Sequence, residues 1–387
     1  MTEIIEVENL RKTETTDYWI NEILFNRLTI KEYIRSLITP FNMIAGLIVL
    51  AGLYFIFLRF TQGLGSITDS SNTQPWGLLL SVGLFTGVPF SAAGFVLGTA
   101  VYIFGLKKYQ PVVTNAILLG LLGYLFAVIF LMIDLGRPWR IYYPMMISFG
   151  PASVMFLVAW HVALYLSVQA MEFSSSVFEW LGLRNFRKII LGMTLALTVA
   201  GIMLSTLHQS ALGAMFLLAP GKVHPLWWTS YLPWLFFVSS LAAGLVYVVL
   251  VGKLTQVFMK DKADSRYLSN LDGITLGIGK AAAMILFTYV GLRLAAITYE
   301  NSWGYLNSPY GLWFLIEFSL FAIAPLLLFY AIQRKKFNWQ FPHHELFYWK
   351  EVIVVIAVLT IEILLYRWIV NRMPVLRQHP DYIGDEH

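Results

Sequence analysis

Leu204–Pro233, LSTLHQSALGAMFLLAPGKVHPLWWTSYLP, follows the long apolar run Ile189–Leu204 and interrupts it with His208, Gln209 and Ser210. Ala211–Leu218 is apolar again, but it falls short of the roughly 20 residues a helix needs to cross a bilayer. Pro220-Gly221 closes it, and His224, Pro225 and the pair Trp227-Trp228 follow. The pattern predicts a span ending at His208, then a re-entrant or interfacial segment with its tryptophans at headgroup level. Irregular backbone at that depth persists only where protein covers it or it lines a cavity. Polar chemistry is therefore expected in this stretch.

The surrounding composition sets the solvent. Of 387 residues, 58% are hydrophobic and only 13% charged, which describes an all-α, multi-pass membrane protein. There is no cysteine, which excludes disulfides, thiolate metal sites and an iron–sulfur cluster held by this chain. If electrons enter, another polypeptide brings them. The first 40 residues are polar and acidic rather than basic and then apolar, so no cleavable signal peptide is expected. The net charge of +5 follows from loop placement and implies no nucleic-acid partner.

Residues 1–42 mix charge with Trp19, Ile20, Ile23, Leu24 and Leu28, spacing that suits amphipathic helices lying on the membrane surface or on a partner. Nine spans are predicted, at 43–60, 77–104, 112–134, 149–171, 189–208, 234–253, 277–298, 311–333 and 351–370. Pro89 and Gly94 lie inside the second, marking either a kink or close helix packing. Eighteen Lys and Arg fall on the N-terminal side of this arrangement and six on the other. The positive-inside rule then puts the N-terminus in the cytoplasm and the tail 371–387 outside. A leading helix followed by two four-helix bundles, helices 2–5 and 6–9, is the expected architecture, and such bundles house ligands between facing helices.

Three blocks carry a family resemblance: LxTxHQSxxG…KVHPLW around His208, Gly63-Leu64-Gly65-Ser66 with Pro75-Trp76-Gly77, and Ile133-Asp134-Leu135-Gly136-Arg137. Arg293 and Glu317 stand where relatives also carry charge. Together these resemble the NrfD/PsrC family of membrane subunits, its hydrogenase-type (HybB-like) branch in particular. The resemblance implies a haem-free anchor in the cytoplasmic membrane, reacting with menaquinone or ubiquinone. It also implies a ferredoxin-like iron–sulfur subunit, together with further catalytic or cytochrome subunits. That partner is expected on the outer face, over the 61–76 and 209–233 loops. Some hydrogenase-type relatives carry a carboxylate in the fourth span, where this chain has Leu157, and the sixth span has no acid at Val251, so proton exchange is expected mainly on the outer side, with another route through His161 and Glu172 left open.

A quinone asks for hydrogen-bond donors at two oxygens, a proton carrier and apolar walls, and histidine is the natural carrier near neutral pH. His208 and Asp134 are the candidate catalytic pair, with the carboxylate orienting and charging the imidazole. The competing reading makes Asp134 an ion-pair partner of Arg137 and His208 a helix cap; the resemblance favours the first. Tyr124, Gln209, Ser210, Trp76 and Arg137 are candidate quinone contacts, with no metal site expected. Arg293 and Glu317 are expected to pair with each other inside the membrane. The alternatives are a secondary transporter and a b-type cytochrome. His161 and His208, at different expected depths, argue against bis-histidine haem.

Overall fold

A computed structural model of the chain describes residues 28–70, 77–334 and 349–377, which are helical with no strand among them. Among the described residues eight helices are long and apolar enough to cross a membrane, and a shorter apolar stretch, Gly311–Leu327, joins them. The chain is a multi-pass membrane protein with about nine transmembrane helices. Trp76 and residues 1–27 lie outside the described residues.

Helix α1 (Ile30–Leu37) opens on a capping box between Thr29 and Glu32 and leaves Ile30, Ile34 and Leu37 exposed on one face. Helix α2 (Pro40–Gln62) is capped by Thr39, carries proline in its first turn, and ends at Gly63. The φ of 93° there suits glycine and few other residues. Helix α3 (Leu78–Ile103) is broken by two π-helical turns, Gly83–Gly87 and Thr99–Ile103. Both readings of Pro89 and Gly94 hold: the helix is unwound, and Gly94 packs closely on the backbone of the next helix at Ile117.

Next come α4 (Gln110–Asp134), α5 (Val154–Trp180), the short α6 (Arg184–Gly192) and α7 (Thr194–Leu217). The last four are α8 (Leu232–Phe258), α9 (Ser265–Tyr299), α10 (Gly311–Arg334) and α11 (Trp349–Arg372). Helices α3, α4, α5 and α7 pack around one another, α8 lies against α3 and α7, and α9 and α10 follow in turn. The last helix, assigned to the second bundle from its place in the chain, packs instead along α2 and onto α4. Gly52 of α2 meets Ala357 of α11 in this contact, the small-residue approach that drives helix association in lipid.

Two boundaries differ from expectation. The fifth span does not end at His208: α7 continues to Leu217, because no helix breaker stands before Pro220. The irregular segment after that helix is therefore 218–231. The end of α11 lies beside the N-terminal helix, not on the opposite face. Arg372 donates to the Tyr33 hydroxyl at 2.8 Å, and the Asp264 N–H donates to the Leu376 carbonyl at 3.2 Å. Helix α11 starts at the far face, where Lys350 donates to the Ser66 carbonyl. Helices α10 and α11 thus both start on that face, and strict alternation of crossings, on which the outward tail rested, does not hold. Residues 335–348 between them and 378–387 lie outside the described residues.

Candidate functional site

Inside the bundle of α3, α4, α5 and α7 lies a knot of buried polar side chains. His208 and Tyr124 are both 0% exposed, with ring centroids 5.4 Å apart. Tyr165 meets Tyr124 edge-on at 4.8 Å. Neither His208 nitrogen has a hydrogen-bond partner, nor has His161 Nδ1, while the Tyr124 hydroxyl and Ser205 Oγ make no bond of normal geometry and have Ser91 and Tyr165 beside them. Leaving a buried polar atom unpaired costs about 1–3 kcal/mol, so a cluster of them marks a place where something else bonds.

The irregularity of α3 serves this knot. Its backbone at Val88, beside Pro89, receives Gln209 Nε2 at 3.1 Å and Ser91 Oγ at 2.5 Å on one carbonyl. Broken backbone at membrane depth is thus covered by protein. On α5, His161, Tyr165 and Gln169 recur every four residues and share one helix face, with Glu172 continuing toward the N-terminal face. Gln169 donates to the Tyr165 hydroxyl at 3.0 Å, and Thr198 of α7 donates to Glu172 at 3.5 Å. A Cβ on Gly120 would come within 2.5 Å of Gln169 Nε2, so glycine is what admits this side chain. Ser205, Tyr165 and Gln169 were missed by sequence reasoning, although their helical spacing with His208 and His161 was a readable signal.

Asp134 stands apart from this knot. It closes α4 ten residues after Tyr124, about 15 Å along the axis at 1.5 Å rise per residue. Its charge neighbours are Arg59 and Glu351, and no hydrogen bond joins it to His208. Arg59, 4% exposed, donates to the carbonyls of Ile133, Asp134 and Leu135, capping α4 where the helix dipole is negative. Glu351 does the reverse at α3, accepting the Leu79 N–H at 2.8 Å and the Thr68 hydroxyl at 3.3 Å. The described parts of two blocks of the resemblance, 63–70 and 133–137, therefore converge, organised by Arg59 and Glu351. Arg137 is exposed, and Ser210 is half-buried beside the knot.

The third block is a pinned loop. Arg293 and Glu317 do not pair directly; both grip the loop between α7 and α8. Arg293 donates to the Leu226 carbonyl at 3.2 Å, and the Trp227 indole N–H donates to Glu317. Glu300 accepts the Ser230 N–H at 2.9 Å and its hydroxyl at 2.7 Å. These bonds hold the Glu300 carboxyl below its usual range. His224 is boxed by Trp227, Tyr305 and Tyr310. Among the described residues no three His, Asp or Glu gather as a metal site.

Comparison with known proteins adds identity to this geometry. The family model described as "Polysulphide reductase, NrfD" matches residues 66–370. A protein of Nitratidesulfovibrio vulgaris is 40% identical over 377 residues, covering 90% of this chain and 97% of its own length. The probable Ni/Fe-hydrogenase 2 b-type cytochrome subunit of Escherichia coli is 26% identical, covering 86% of this chain and 92% of its own. A menaquinone reductase integral membrane subunit of N. vulgaris is 26% identical over 66% of this chain and 60% of its own. The match encloses the polar knot, the capped helix ends and the pinned loop alike: the chain belongs to the NrfD family.

Proposed function

We propose that this chain is the quinone-reactive membrane subunit of an oxidoreductase complex in the cytoplasmic membrane, taking electrons from or giving them to an iron–sulfur subunit. The observation that carries the reading is the His208–Tyr124 pair, two buried rings 5.4 Å apart in a cluster of polar atoms left without hydrogen-bond partners. A relative named as a menaquinone reductase membrane subunit supports the substrate class. Reducing a quinone to its quinol consumes two electrons and two protons. The chain has no cysteine for a cluster, so the electrons arrive through the partner, which we place over the 61–76 and 218–231 loops. His208 carries the two protons to the quinone oxygens in turn, being reprotonated between them, and the Tyr124 hydroxyl donates a hydrogen bond to the head group.

The proton route favoured by this arrangement differs from the outer-side exchange expected of the sequence. Tyr165, Gln169 and Glu172 lead from the knot toward the N-terminal face, which the Lys/Arg bias assigns to the cytoplasm. Asp134 is not needed for the step.

Haem is the second reading, prompted by the relative called a b-type cytochrome subunit. The depth argument against it fails: His161 is near enough to bear electrostatically on His208. The residues nevertheless do not fit a haem. Helices α5 and α7 pack directly, with Tyr165 only 3.7 Å from where a Cβ on Gly201 would sit. Quinone-analogue titration of the purified complex tests the main reading: saturable binding that His208→Ala weakens supports it, and a Soret band with no quinone effect replaces it.

A further inference from the structure

A cavity of about 300 Å³ opens where α4, α5, α7, α9 and the residues after α11 meet. It lies on the face of α1, whose exposed Ile30, Ile34 and Leu37 mark the level of the lipid headgroups. Lys107, Arg266 and Arg377 stand in its wall, and their side chains make no hydrogen bond or ion pair to a described residue. Of its three acids, one is ion-paired and two accept from neutral donors. Asp264 caps α9 by accepting the Tyr267 N–H at 2.6 Å, Glu179 accepts from Arg187 at 2.8 Å, and Glu172 takes the Thr198 hydroxyl. Helix α4 begins in this wall, at Gln110 and Pro111, without a side-chain cap. Beside the polar wall, Ile190, Leu191 and Leu197 supply an apolar one, and Phe186 and Ile189 are exposed just outside.

We propose that this cavity is a binding site for the phosphate headgroup of an anionic phospholipid. Lys107, Arg266 and Arg377 neutralise the phosphate, and the acyl chains run down the Ile189–Leu191 edge. Cationic pockets between membrane helices at headgroup level are suited to this chemistry. An occupant there ties the first bundle to the start of α9 and to the residues after α11, which otherwise meet through the Asp264–Leu376 hydrogen bond.

The test uses the full chain, delipidated in detergent, with thermal unfolding followed as lipid is added back. Phosphatidylglycerol is expected to raise the melting temperature, as any ligand selective for the folded state does. Phosphatidylcholine and inorganic phosphate are expected not to. The triple variant Lys107→Gln, Arg266→Gln, Arg377→Gln is expected to need about tenfold more phosphatidylglycerol, or more, for the same shift. Equal shifts from phosphatidylcholine overturn the proposal, and a full shift from inorganic phosphate overturns the lipid as its source. An unchanged titration in the variant overturns the site. The lipid comparison on the unsubstituted chain stands even if the variant does not fold.

Discussion

The His208 and Tyr124 rings meet at 5.4 Å in the middle of one helix bundle, with both imidazole nitrogens left without hydrogen-bond partners and the phenol hydroxyl without a bond of normal geometry. Removing a proton carrier of this kind costs about 10²–10⁴-fold in rate. His208→Ala is expected to lower quinone turnover by that order while electron transfer from the partner to an artificial acceptor survives. Tyr124→Phe keeps the ring and discards an unsatisfied hydroxyl, so unfolding temperature should hold or rise while quinone affinity falls. Wild-type turnover in His208→Ala, with normal assembly, would move the site elsewhere.

Glu172 is expected to govern the side from which protons come. In proteoliposomes of known orientation, quinone reduction should draw protons from the N-terminal face. Glu172→Gln should slow that uptake and leave quinone-analogue binding unchanged. Uptake confined to the opposite face, indifferent to Glu172, contradicts the route along α5.

Arg59 and Asp134 are expected to matter for stability rather than for rate. Hydrogen bonds to a charged group contribute about 1.5–3 kcal/mol each, and Arg59 makes its bonds to the end of α4 while buried. Arg59→Leu should therefore lower the unfolding temperature clearly. Asp134→Asn should do so mildly and leave the pH profile of quinone turnover unmoved. A shifted profile in Asp134→Asn would put the carboxylate back beside His208.

The pinned loop should respond to acid through Glu300, whose carboxyl is held low by the Ser230 N–H and hydroxyl. A depressed folded-state pKa contributes stability that is present above the unfolded value and lost as pH falls through the folded one. Unfolding of the wild type against Glu300→Gln should show a gap above about pH 4.5 that closes on further acidification. A gap that is constant across this range points to the amide's packing and not to charge.

Much of this was legible from the chain. Zero cysteines, apolar run lengths and the HQS block placed the protein in a membrane and singled out His208 and Gln209. What misled was depth. The polar trio 208–210 looked like a helix end, because a helix can bury such side chains only with partners that sequence does not show. Here Gln209 has the Val88 carbonyl, next to Pro89 in the irregular helix. Asp134 and His208 were paired because both were set at one membrane face; the continuation of α7 to Leu217 sinks the histidine and separates them. Arg59 announced itself as an arginine inside an apolar run, yet its partners are three carbonyls 74 to 76 residues away. Backbone acceptors carry no residue-type signature, so no spacing rule reveals them.

That arginine also orders the making of the protein. Helix α2 leaves the ribosome before α4, bearing a cation that bare lipid accommodates poorly. Its acceptors exist only at the end of α4, and its long neighbour α11 is synthesised later still. The first span therefore has to wait at the site of membrane insertion, or lie tilted at the interface, until the third has followed it. An early truncation between α2 and α4 should leave a nascent chain that inserts poorly and is degraded, whereas one just beyond Leu135 should already be anchored.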